Sequence, residues 1–517
     1  MHDAAFAAEA RKALPADVVE SRFYSDDLAP VPAARRNWST YAFAALWISM
    51  CHCIPTYTLA GGMIADGMNW WQALLTIGVG TCIVLVPILL NAHPGTKYGL
   101  PFPVLARASF GTTGANVPAM LRAVVACGWF GINTYFGGEG VSALLDTIWP
   151  GWEQLGGGFG IVGYPLPHFL AFALFWAIQV WLIYKGMNAV RVFENWAAPL
   201  VLVMAGALLV WLVSGAHGFG AMLSQPSKFE NTSQFLSVFF PWMTGVVGFW
   251  STLALNIPDF TRFGRGQKEQ MLGQTLGLPT TMILFSLMAV IITSASKEVL
   301  VGMPAADLWD PVKILAAMTS PTPPGTLAAP LIASGGTRVL VALLSVFGVG
   351  VASVSVNIAA NVVSPANDIA NLAPKLISFE TGGLVTAIAG VLMLPWKLVS
   401  HGVINWLVGY SALLGPIAGI MIVDYWLLRK GELDVPELYR PNGKHAGTNW
   451  IAVGAMAAGI APNVPGFLEQ VKAIGPISPM LHQVYVFAWF VGFAVAGGLY
   501  YAGMNALGRK PVTAAAS

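Results

Sequence analysis

FFPWMTGVVGFWSTLALNIPDFTRF, residues 239–263, is apolar enough to cross a bilayer yet holds Pro241, Gly245, Gly248 and Pro258. Lipid offers no hydrogen bonds, so a span can unwind only where its freed amides and carbonyls face protein or a wet cavity. An interrupted span therefore predicts a site, and secondary transporters use paired broken helices to build one near the bilayer midplane. The partner lies earlier in the chain. WISMCHCIPTYTLAGGM, residues 47–63, is a second apolar run, cut by Pro55 and by Gly61-Gly62. Both breaks are expected to surround one cavity.

The rest of the chain fits that frame. With 56% hydrophobic and 10% charged residues among 517, and a mean hydropathy of +0.66, it is a polytopic membrane protein. Windows of about 20 apolar residues place twelve spans near 38–63, 70–93, 116–143, 167–185, 196–214, 235–262, 275–296, 337–361, 382–398, 403–428, 449–468 and 482–506. With residues 1–37 and the tail 507–517 set in the cytoplasm, 20 of the 26 lysines and arginines fall on that side. This is the asymmetry expected of a plasma-membrane protein. The opening residues hold no short apolar core followed by a small-residue cleavage site. The net charge of +2 gives no reason to expect nucleic acid, and all four cysteines lie in apolar runs, which speaks against a disulfide framework.

Spans one and six are five apart, the spacing of inverted repeats covering 38–214 and 235–428, with 449–506 appended. The expected architecture is all-α, with twelve transmembrane helices of which the first and sixth are discontinuous.

Within span three, ACGWFGINTYFGGEG (126–140), Trp129 and Asn133 are four apart and share a helix face. An aromatic plate beside an amide suits a flat, hydrogen-bonding ligand; an interfacial Trp and a helix-bridging Asn fit the same residues. Trp250 is central in span six, so two indoles on different helices can take both faces of one ring. In span eight, VGVASVSVNIAANVVSPANDIANL (349–372), Ala352, Ser355 and Val356 share a face and Asn361 comes off near Pro365. Asn357 fits helix-to-helix bonding equally well.

Cys51-His52-Cys53 resembles a metal cluster, but neighbouring helical residues diverge by about 100° and no second Cys/His group completes four ligands; no metal is expected. Glu139, among glycines, is placed near the outer rim in a gating or structural role. Asp259 beside Arg262, and Asp424 at the end of span ten, read as helix-end salt bridges or inner-gate contacts. The spans hold no catalytic constellation, so an enzyme is disfavoured. A channel would need a continuous polar lining, whereas the polar positions cluster at the breaks.

Four motifs then carry a resemblance. HPGTKYGLPFPVLARASFG (93–111), NIPDFTRF (256–263), SVNIAANVVSPANDIANL (355–372) and LLGPIAGIMIVDYWLLRKGEL (413–433) are similar to the bacterial and fungal nucleobase-cation-symport proteins, over about 28–439. MCHCIPTY (50–57) is most like the bacterial allantoin permeases. The resemblance implies a LeuT-type five-plus-five fold with two added helices. It further implies a secondary active importer of a flat, uncharged, amide-rich heterocycle, allantoin first and hydantoin or uracil next. Cytosine, a purine, pyridoxine or thiamine is the alternative, and no cofactor is implied beyond a coupling proton or sodium.

Carried over by motif, the substrate positions are Trp129, Trp250 and Asn361, with Asn133 where the family has a longer amide and Cys53 at a further polar position. Leu407 falls where the family has an outer gate. The family's cation site corresponds to Ser49, His52, Ala352, Ser355 and Val356. Val356 has no oxygen to offer a hard cation, so a proton or weak sodium dependence is expected.

Overall fold

The computed structural model describes residues 4–149, 151–185, 187–305, 307–319, 335–400 and 403–506; the expected tail 507–517 lies outside them. The first span is Thr40–Cys51 with Ile54–Ala65, bent by 60°. Spans two to seven are Trp70–Tyr98, Asn116–Ile148, Leu166–Tyr184, Met187–Gly215, Thr232–Asn256 and Gln267–Val299. The eighth is Gly335–Asn361 continued by Val363–Ala370, the ninth Phe379–Leu392, and the tenth Val403–Ile422 ending in the π-helical turn Val423–Leu428. Trp450–Ile460 with Val464–Gln470 forms the eleventh and Ala488–Ala506 the twelfth. Among the described residues seven single helices and two bent pairs are long and apolar enough to cross a membrane. The shorter apolar helices Pro199–Gly215 and Phe379–Leu392 and the 33-residue third helix complete twelve. The start expected for span twelve is a separate helix, Pro479–Val486, set at 84° to it.

Local chemistry sets these boundaries. Ser39 caps span one by accepting from the Ala42 amide, and Asn69 and Gln72 cap span two reciprocally. Span one breaks because Cys53 is extended (φ −131°, ψ 158°) and Pro55 occupies the next first turn, where its missing N–H costs nothing. Span six corrects the sequence reading in its detail. Its helix runs unbroken through Pro241, Gly245 and Gly248, and the interruption falls at Ile257, before the short helix Pro258–Thr261. Gly248 is there for contact: a Cβ on it would sit 2.9 Å from the Leu407 carbonyl of span ten. Other glycines pack helices in i, i+4 pairs. Gly273 and Gly277 meet Phe43 and Trp47 of span one, and Gly415 and Gly419 rest on the Trp489 and Phe493 carbonyls of span twelve.

The N-terminal segment, polar in sequence, folds across the ends of the helices. Phe23, Tyr24, Leu28 and Val31 are buried. Ser21 donates to the Tyr439 carbonyl, the Tyr439 hydroxyl to that of Leu28 (2.7 Å), Arg262 to that of Asp27 (3.0 Å), and Arg440 pairs with Asp17 (2.8 Å). Fully buried Arg107 donates to Phe23 O, Leu438 O and Asn371 Oδ1, and burial lowers its guanidinium to about 10. Asp259 does not form the expected ion pair with Arg262. Its Oδ1 instead accepts from the Phe102 amide at 3.0 Å, at the start of the helix Phe102–Phe110. Asp424 does pair, with Arg429 at 2.6 Å, and also accepts from Tyr500 and Ser109. At the opposite face Glu139 accepts from Tyr164 and sits 3.0 Å from His168 Nδ1, beside the hairpin Gly160–Ile161 and Tyr164–Pro165.

Candidate functional site

Cys53, Trp129, Asn133, Trp250 and Asn361 line one small cavity with Met50, Phe249, Thr252, Leu253, Val356 and Ala360. The break in span one supplies Cys53, and one face of span three supplies Trp129 and Asn133. Span six adds Trp250, and span eight adds Asn361, the last residue before the kink at Val362. At about 30 Å³ the cavity holds roughly two waters and no heterocycle. The structure is thus closed around it.

The two expected plates do not face each other across an open slot. Phe249 packs edge-on to Trp129 (5.4 Å) and to Trp250 (4.9 Å), and Trp47 backs Trp250 at 5.1 Å. Trp129 Nε1 donates to the Tyr410 hydroxyl (3.2 Å), which ties span three to span ten. Asn133 donates to the Trp129 carbonyl (3.1 Å), and Asn361 donates to Asn357 Oδ1 (2.9 Å). Asn357 bridges helices: its Nδ2 reaches Phe130 O, Thr134 Oγ1 and Gln179 Oε1. Phe249, Thr252 and the Gln179 network escaped the sequence reading, although Gln179 is a lone polar residue in FWAIQVWLIY, itself a signal of an internal bond.

The side chains at the expected cation positions have different surroundings. The hydroxyls of Ser49 and Ser355 hydrogen-bond across spans one and eight. Ala352 packs against the cluster of Ala197, Val201 and Val351, and Val356 faces the cavity. His52 Nδ1 lies 2.5 Å from the Ile48 carbonyl with its ring against Phe285, and the Cys53 thiol pairs with Thr56. The three side chains of Cys51-His52-Cys53 therefore do not converge. Leu407 is buried against span six but does not line the cavity.

A larger cavity, about 460 Å³, lies beyond Cys53 among Leu200, Met204, Trp211, Phe285 and Phe347. Its lining is almost wholly apolar, which leaves an amide-bearing ligand unsatisfied. The smaller cavity carries the amides and indoles that the larger one lacks.

Twelve helices with a broken first span around a central polar cavity define a secondary transporter of the LeuT fold. The chain belongs to the family of permeases for cytosine/purines, uracil, thiamine and allantoin, whose model matches residues 30–492. It is 41% identical to an allantoin permease of Bacillus subtilis, over 92% of each chain. It is also 41% identical to the purine-uracil permease NCS1 of Arabidopsis thaliana, over 94% of this chain and 78% of that one. Among solved structures it resembles Mhp1, a nucleobase-cation-symport-1 family transporter in a closed conformation with bromovinylhydantoin bound. The TM-score is 0.71 and the identity 25%, with 94% and 96% of the two chains covered. The protein is a membrane transporter, not an enzyme.

Proposed function

We propose that the protein imports a flat, uncharged, amide-rich heterocycle, allantoin first and hydantoin or uracil next, by alternating access coupled to a cation. One observation carries this reading: five residues remote in sequence, Cys53, Trp129, Asn133, Trp250 and Asn361, line a single cavity. The names of the relatives support the substrate class. The indoles supply stacking faces, and Asn361 and Asn133 supply the polar contacts. The repeats are assigned to 38–214 and 235–428, and both termini to the cytoplasm, on the charge asymmetry of the loops. The coupling ion is assigned as a proton, or as sodium bound weakly, because Val356 brings no side-chain oxygen at a position where the family has a hydroxyl.

Uptake of radiolabelled allantoin, hydantoin and uracil into proteoliposomes, under imposed proton or sodium gradients, tests substrate and coupling together. Gradient-driven accumulation of at least one is expected. Accumulation of none, with allantoin failing to compete for binding, overturns the substrate reading.

A further inference from the structure

The cavity amides are held in one orientation by groups outside it. The Phe130 carbonyl can only accept, so the Asn357 atom 3.0 Å from it is the nitrogen. Thr134 spends its one proton on the same carbonyl (2.7 Å), so its oxygen accepts from Asn357 and from Gln179 Nε2 (3.0 Å). Gln179 turns its Oε1 to Asn357 at 2.6 Å. Three acceptors thus surround Asn357 Nδ2, and Asn357, Thr134 and Gln179 are all fully buried. Asn357 Oδ1 then faces Asn361, which must present its nitrogen (2.9 Å). Asn361 Oδ1 makes no hydrogen bond among the described residues and is left for the cavity, with the second N–H of the amide beside it.

Asn133 is fixed in the same sense from a different anchor. Its nitrogen is taken by the Trp129 carbonyl, and its Oδ1 has no partner among the described residues. Thr252 stands opposite in character. Its hydroxyl makes no hydrogen bond among the described residues and lines the cavity.

We propose that the site is an acceptor pair, Asn361 Oδ1 and Asn133 Oδ1, complemented by the Thr252 hydroxyl, and that Asn357, Thr134 and Gln179 are positioning residues that fix this polarity. Such a site selects ring systems with two N–H donors beside a carbonyl, as in cyclic ureides. It rejects rings of the same shape in which an N–H is replaced by CH₂. The inference rests on the heterocycle reading above and deepens it.

Hydantoin and succinimide are the probes, since they differ only in that replacement and both are neutral. Binding is read by tryptophan fluorescence of the purified full-length protein. Wild type is expected to prefer hydantoin by about tenfold or more, because an oxygen left unpaired in a desolvated site is costly. Asn357→Leu removes the acceptor that orients Asn361 and should bring the ratio toward unity, whereas a merely structural loss would weaken both ligands alike. Thr252→Val should weaken both, since both carry the carbonyl it serves. Equal affinity of wild type for the two rings overturns the acceptor pair, whatever the variants do. A preserved ratio in folded Asn357→Leu overturns the positioning role. Binding of neither ring, nor of allantoin or uracil, strikes the heterocycle reading instead.

Discussion

Arg122 and Asp368 give the sharpest quantitative test of how the closed structure is held. Arg122 Nη1 lies 3.8 Å from Asp368 Oδ2, both side chains fully buried, and Arg122 Nη2 donates to the Ala360 carbonyl at 3.0 Å. Among the described residues neither Asp368 oxygen has a hydrogen-bond partner, and neither do Arg122 Nε and Nη1. The attraction is therefore mainly Coulombic, about 4 kcal/mol at this separation with an effective dielectric near 20. Removing one partner strands the other charge, at a cost of about 3–5 kcal/mol. Asp259, within electrostatic reach of Arg122, places the loss of Asp368 near the lower end. Asp368→Asn and Arg122→Met should each lower the unfolding temperature of the detergent-solubilised protein by several degrees. Arg122→Met with Asp368→Leu should regain most of the loss, because a packed apolar pair replaces two desolvated charges. Ala360 lines the cavity, so the single variants should also weaken ligand binding. The reasoning is refuted if Asp368→Asn is as stable as wild type, or if the double variant is less stable than either single one.

Four further outcomes are expected. Trp129→Ala or Trp250→Ala should cost roughly 1–3 kcal/mol of stacking, a ten- to hundredfold loss of affinity, with insertion intact; unchanged apparent affinity in both would make them packing residues. Asn133→Gln should alter preference within a heterocycle panel, and an identical competition profile would remove Asn133 from specificity. Val356→Thr should strengthen any sodium response, while strong sodium dependence in wild type at constant pH and ionic strength would contradict a damaged cation site. Burial, with Arg429 adding to it, pushes His445 from 6.5 down to about 4. Its loop docks on residues 110–114 through the Thr112 and Thr113 amides. As pH falls below 6.5 the undocked loop takes up a proton that the docked loop refuses, so docking weakens by about 2 kcal/mol at pH 5. Hydrogen exchange at Thr112 and Thr113 should rise accordingly and lose this pH dependence in His445→Gln; exchange that is flat in wild type would contradict it.

The span pattern was legible because each helix must bury its backbone polarity in an apolar run of fixed length. The break at Cys53 was legible because Pro55 sits where a first helical turn accepts it at no cost in hydrogen bonds. Span six was misread in detail for a physical reason. Glycine serves both an unwound backbone and a close helix contact, and Gly248 turned out to be the second, pressed under Leu407. The N-terminal strap was invisible because its partners are remote: Asp17 pairs with Arg440, and Ser21 with Tyr439. Polar composition alone says nothing of such pairings. The cavity itself was legible through i, i+4 spacing, which put Trp129 and Asn133 on one face. Phe249 was not, since nothing in the order of residues says which of two adjacent aromatics wedges between the plates.

The distribution of polar contacts indicates where the molecule can part. Spans two and six are joined by Asn91 to the Ala254 carbonyl (2.6 Å) and Thr96 to that of Thr261 (3.0 Å), and spans one and seven by Tyr57 to Thr293 (3.0 Å). Spans three, four and eight are locked by Asn357, Gln179, Thr134 and Arg122, and span nine meets span three where Gly131 and Gly390 leave no room for a Cβ. Between these two groups the hydrogen bonds described are few, Ser49 with Ser355 and Asn256 with Ser364, together with the Trp129 to Phe249 edge contact. The cavity lies on that seam, with Cys53 and Trp250 on one side and Trp129, Asn133 and Asn361 on the other. A heterocycle bound there would touch both groups at once. Parting along this seam would break these two serine contacts and separate Phe249 from Trp129. On this geometry Cys53, Thr252 and Trp250 stand on one side of the seam and the amides of Asn133 and Asn361 on the other.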